Sequence, residues 1–145
     1  MITVRNLQRR VRLDLPSLRR FAAIALEECA GISGDGRFAL KTLDEVAVAI
    51  VSDRRIAAIH AEFMRIAGAT DVITFEHGDI VISAETAQAN AARFGQPVDR
   101  EVALCVVHGL LHLNGFDDTE PRARRRMHAA QARVMKTCLR RADIG

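Results

Sequence analysis

Residues 102–113, VALCVVHGLLHL, form an apolar run broken by polar side chains at two places, His108 and His112. A spacing of four sets both imidazoles on one face of a helix, one turn apart. So apolar a helix has to lie at the centre of the fold, where burying two imidazoles is unfavourable unless both find partners. Asn114 and Gly115 follow as a helix stop, with Gly115 suited to the left-handed conformation of a C-cap. The chain then turns back, and Phe116, Asp117 and Asp118 bring two carboxylates towards the rings. Two nitrogens from one helical turn and one oxygen from the returning loop make an open, three-ligand site. That pattern suits a catalytic Zn²⁺, which keeps a fourth position for water. Two core imidazoles satisfied by neighbouring groups would share the spacing, but a metal satisfies both at once. In the protease motif HExxH, the Glu after the first His is the general base. Here Gly109 takes that place, so the metal platform is present without the protease's base.

With 145 residues the chain has room for one domain with a real core, expected to span residues 1–145. No run approaches the length of a membrane span, and the first ten residues lack the apolar stretch of a signal peptide. Cys29, Cys105 and Cys138 are widely spaced in apolar helical surroundings, the usage of a cytoplasmic protein with reduced thiols. A net charge of +3 conceals an asymmetry. Residues 1–41 carry 8 basic and 4 acidic side chains, residues 42–120 carry 5 and 13, and residues 121–145 carry 8 and 1. Basic ends around an acidic middle suggest an anionic partner gripped from outside the site. The cluster Arg122, Arg124, Arg125 and Arg126 also fits the solvated face of a last helix.

Along the chain, Ile2 to Val4 begins a strand, and Asp14 and Pro16 start a helix whose stripe is Leu18, Phe21, Ala25 and Cys29. Residues 31–37, GISGDGR, read as a loop, and residues 45–51 as a buried strand. Ser52 and Asp53 cap a helix with the face Ile56, Ile59, His60 and Phe63, expected to end at residues 68–71. Residues 72–75 and 80–82 are short strands able to pair as a hairpin, and Ser83 caps an alanine-rich helix. Asp99 is the expected cap of the central helix, and Pro121 opens the last one, with Met127, Val134 and Cys138 inward. These elements predict an α+β fold: a small mixed sheet of about four strands covered by about five helices. His77 and His128 sit in polar surroundings and read as surface residues.

Three segments together resemble the bacterial YbeY family of endoribonucleases. TDVITF at residues 70–75 is similar to the family's T-D-V-L-S-F strand, and GDIVIS at 78–83 to its G-D-I-x-I segment. HGLLHLNGFDD at 108–118 is similar to its H-G-x-L-H-L-x-G-Y-D-H signature. The resemblance covers about residues 40–135. It implies a metalloprotease-like active-site helix and metal-assisted, single-strand-specific cleavage of RNA in rRNA (16S 3′ end) maturation and ribosome quality control. It also implies ribosomal partners and a cytoplasmic location, with no membrane. His108 and His112 carry over as catalytic metal ligands. The third ligand, a His in the family, is Asp118 here, a legitimate Zn²⁺ ligand whose harder oxygen shifts preference among divalent metals. The family places an Arg shortly before T-D-V; Met64 occupies that position and Arg65 the next, so Arg65 is the candidate phosphate contact.

No Trp or Tyr is present and the Phe residues mostly fit core positions, so RNA binding would rest on phosphate contacts and weaken steeply with salt. Asp117, beside a capping Gly, suits turn geometry better than a general base. Two rival functions remain: a metal-dependent hydrolase of peptides or amides, opposed by Gly109, and a non-catalytic ribosome-assembly factor with a structural metal.

Overall fold

The computed structural model describes residues 1–142. Its four strands are β1 (Ile2–Asn6), β2 (Val46–Val51), β3 (Val72–Thr74) and β4 (Asp79–Ser83). Its five helices are α1 (Leu15–Ala30), α2 (Asp53–Met64), α3 (Ala84–Arg93), α4 (Val98–Leu113) and α5 (Pro121–Arg141). The sheet order is β1-β2-β4-β3. β2 runs parallel to both β1 and β4, with Val48 opposite Val4 and Ile80. β3 returns antiparallel on β4, Ile73 opposite Val81, so the expected hairpin is present. This is the α+β fold with a mixed sheet that the sequence implies.

Alternation along the strands decides which helices cover which face. Val46, Val48 and Ile50 of β2, with Ile80 and Ile82 of β4, face the main core made with α1, α4 and α5. Val51, Ile73 and Val81 point the other way and form a smaller cluster with Ile56 of α2. Because α4 is enclosed on nearly every side, its run Val102 to Leu113 can be apolar all round. Leu18, Phe21, Ala25 and Cys29 of α1 and Met127, Val134 and Cys138 of α5 are buried as their spacing requires. The three thiols are buried and unpaired, and burial pushes that of Cys138 up to about 11. No helix among the described residues is long and apolar enough to cross a membrane.

Local chemistry departs from expectation in three places. α2 ends at Met64 rather than at residues 68–71, because Arg65 takes the left-handed conformation (φ 55°) and its N–H donates back to the Ala61 carbonyl. Of its expected inner face only Ile56 is buried; Phe63 is 63% exposed. At α4 the N-cap is Pro97, and the Asp99 carboxylate instead accepts the Asp14 backbone N–H at 2.9 Å, tying α4 to the start of α1. Third, the Phe residues are not mostly core. Only Phe21 is buried, while Phe38, Phe63 and Phe94 are exposed.

Candidate metal centre

The last two turns of α4 carry His108 and His112 to the floor of a cleft of about 670 Å³. Their ring centroids lie 4.7 Å apart with planes at 80°, so the two imidazoles do not stack but converge from different directions. Just past the helix, Gly115 takes φ 96°, and Phe116 N–H donates to the Leu111 carbonyl at 2.9 Å. That turn returns Asp118 over the rings. Its carboxylate oxygens lie 3.7 Å from His108 Nε2 and 3.8 Å from His112 Nε2. One donor atom from each of the three residues falls within 4.8 Å of the others. Ligands about 2.0–2.1 Å from a tetrahedral ion stand about 3.4 Å apart, so these separations leave space for one cation.

The opposite edge of each ring is already used. His108 Nδ1 is hydrogen-bonded to Gln131 Oε1 of α5, and His112 Nδ1 to the Phe116 carbonyl at 3.0 Å. Both partners are acceptors, so each Nδ1 carries the proton and each Nε2 presents its lone pair to the centre. Burial, and then the neighbouring His108, hold His112 below the ordinary histidine pKa, against a smaller opposing pull from Asp118. The neutral imidazole is the form a metal takes. These donors fit a divalent transition metal: two oriented imidazole nitrogens and a carboxylate, half-buried at the base of an open cleft.

Asp117 is fully engaged in its own turn, accepting from the backbone N–H of Asp118 and Thr119 and from the Thr119 hydroxyl. These bonds lower its pKa, the Thr119 hydroxyl most. Gly109 has no room for the protease's Glu. A Cβ there would stand 2.7 Å from Ile80 Cδ1 and 2.9 Å from its Cγ2. His77 pairs with Asp79 at 2.5 Å on the surface, and His128 is exposed on α5.

Arg65 is exposed at the end of α2 and is not among the side chains lining the cleft; Met64 is. The cleft is also lined by residues with no site signal in their local sequence: Arg37 and Phe38 from the loop before β2, and His60 from α2. Elsewhere, Phe63 and Phe75 meet edge to face at 5.6 Å, and Phe75 stacks on His77 at 5.7 Å. The exposed rings of Phe38 and Phe63 supply aromatic surface that a core assignment of the Phe residues had removed.

Comparison with known proteins gives the family. The profile of the family described as YbeY, Endoribonuclease YbeY, matches residues 3–139. A protein of Phocaeicola vulgatus named Endoribonuclease YbeY is 35% identical over 102 residues, covering 66% of this chain and 74% of that protein. One of Micrococcus luteus with the same name is 34% identical over 113 residues, covering 67% and 72%. The solution structure of TM1509 from Thermotoga maritima superposes with a TM-score of 0.65 at 22% identity, covering 96% of this chain and 89% of that one. It supports the fold alone. With the profile running over nearly the whole length, the chain belongs to the YbeY family of endoribonucleases.

Proposed function

We propose that this chain works as a single domain, a metal-dependent endoribonuclease that cuts single-stranded RNA. Its proposed substrate is ribosomal RNA near the 3′ end of 16S, and its setting is maturation and quality control of the ribosome in the cytoplasm. The observation that carries this reading is the convergence of His108 Nε2, His112 Nε2 and the Asp118 carboxylate in one cleft. Those three residues would hold one Zn²⁺ or another divalent transition metal. When bound, such an ion supplies Lewis acidity towards a phosphoryl oxygen and lowers the pKa of a bound water.

The chain's own groups prepare that chemistry. Gln131 and the Phe116 carbonyl hold the Nδ1 protons, which fixes both rings and keeps the Nε2 atoms free. Asp117 holds the turn that carries Asp118, a positioning role. The open cleft, with the exposed ring of Phe38 in its lining, suits an unpaired strand, because stacking on a ring requires a base free of its duplex. Gly109 disfavours a peptidase, since the place of its base is filled by Ile80.

The test is cleavage of a labelled single-stranded RNA and its duplex by the metal-loaded wild type and by His112→Ala. The single strand should be cut and the duplex spared, with a loss of about 100-fold or more in the variant. A variant that cuts as well as wild type would overturn the assignment. Loss of cleavage with fold and RNA affinity retained is the expected result, whereas a variant that unfolds as its metal is lost would point to a structural metal in an assembly factor.

A further inference from the structure

We propose that Arg37 is the side chain that binds the phosphodiester beside the metal centre, and that residues 31–40 form a fixed arm holding it there. This rests on the nuclease assignment above.

Charge around the cleft gives the first reason. Asp71, Glu76, Asp117 and Asp118 line it, whereas Arg37 is the one permanent cation among its described lining residues. The four carboxylates outweigh the charge of one divalent ion held there, so a phosphodiester still meets repulsion unless a side-chain cation receives it. Among the described residues Arg37 makes no ion pair, unlike Arg126 with Asp35 and Arg141 with Glu27 and Glu28. Its guanidinium lies over the Phe38 ring, 5.5 Å from the centroid, which steadies it without consuming its N–H donors.

Backbone geometry gives the second reason. A loop reading GISGDGRF would be expected to move, yet this one is fastened on three sides. Gly34 N–H donates to the Asn114 carbonyl at 3.0 Å, and Gly36 N–H to the Gly115 carbonyl at 2.8 Å. The buried Asn114 side chain donates to the carbonyls of Cys29 and Ile32 and accepts the Leu40 N–H, so it grips both ends of the arm. Between them Asp35 takes a two-pronged bond from Arg126 of α5. The approach is too close for side chains: a Cβ at position 34 would lie 2.3 Å from the Gly115 carbonyl oxygen, and one at 36 would lie 2.8 Å from it. Asn114 and Gly115 are also the residues that end α4, two and three positions after His112. The arm and the metal ligands therefore share one anchor, and Arg37 is placed relative to the centre by backbone bonds.

The experiment measures binding of a fluorescent single-stranded 2′-O-methyl oligoribonucleotide, verified intact by gel, to metal-loaded wild type, Arg37→Ala, Arg37→Lys and Arg65→Ala over a salt series. Cleavage of the unmodified RNA is followed in parallel. Arg37→Ala should bind about 10- to 100-fold more weakly, with a salt slope reduced by about 0.7. Its metal content and melting temperature should match wild type. Arg37→Lys should recover part of the affinity, since a point charge replaces a planar fork. Wild-type affinity in Arg37→Ala, or a larger loss in Arg65→Ala, would overturn the proposal while leaving the nuclease intact. A metal-loaded wild type that neither binds nor cuts would remove both.

Discussion

At the scale of single residues, Gly109 shows how packing fixes the chemistry of the centre. Protease-type helices place a Glu between their two ligating His residues, and here the same position presses against Ile80 of β4. Even a methyl group is too large. Gly109→Ala should destabilise the protein by about 1–3 kcal/mol through overpacking, visible as a lower midpoint in urea denaturation. A midpoint equal to or above wild type would mean that Ile80 moves aside and that the absence of Glu has another cause. That His108 and His112 share a face was legible in sequence because a spacing of four brings two side chains together on a helix. Gln131, which sets the tautomer of His108, lies 23 residues further on and carries no local signal. The exposed Phe residues were misread for a related reason. Hydrophobicity predicts burial only on average, and Phe63 falls on the last turn of a helix whose inner contact is Ile56.

At the scale of elements, the centre is assembled by ends rather than by regular segments. α4 stops at Asn114, Gly115 turns the chain back, and the arm before β2 closes on that same turn. Asn114→Ala would leave the buried Leu40 N–H without its partner and remove one donor each from the Cys29 and Ile32 carbonyls. The expected cost is about 3 kcal/mol, with hydrogen exchange at Leu40 accelerated beyond the global change. Unaltered exchange at Leu40 would show that the arm is held by other bonds. The boundaries of α1 and α3 were readable because Asp14 and Ser83 accept from backbone N–H groups three residues on, a purely local arrangement. The C-terminal end of α2 and the start of α4 were not. Arg65 adopts a backbone conformation that its sequence gives no reason to expect, and Asp99 serves a distant N–H instead of its own helix. The arm looked like an ordinary glycine-rich connection because its partner, Asn114, is 74 residues beyond Leu40.

At the scale of the whole molecule, the fold separates scaffold from chemistry. One sheet face and three helices bury α4, leaving the ligand edge of its last two turns half-open to the cleft. The basic helix α5 contributes less free charge than its composition implies. Arg126 and Arg141 are spent on ion pairs that fasten the arm and α1. The overall architecture was legible because strand alternation, helix caps and the apolar α4 all agree; the lining of the cleft was not, because it gathers loops distant in sequence. The central claim is that His108, His112 and Asp118 hold one metal. Its most direct test is metal content by mass spectrometry of purified wild type, His112→Ala and Asp118→Ala after loading and desalting. The account predicts about one divalent ion per wild-type chain and little in either variant. Full occupancy in Asp118→Ala would contradict it, leaving the two histidines to find their third ligand elsewhere.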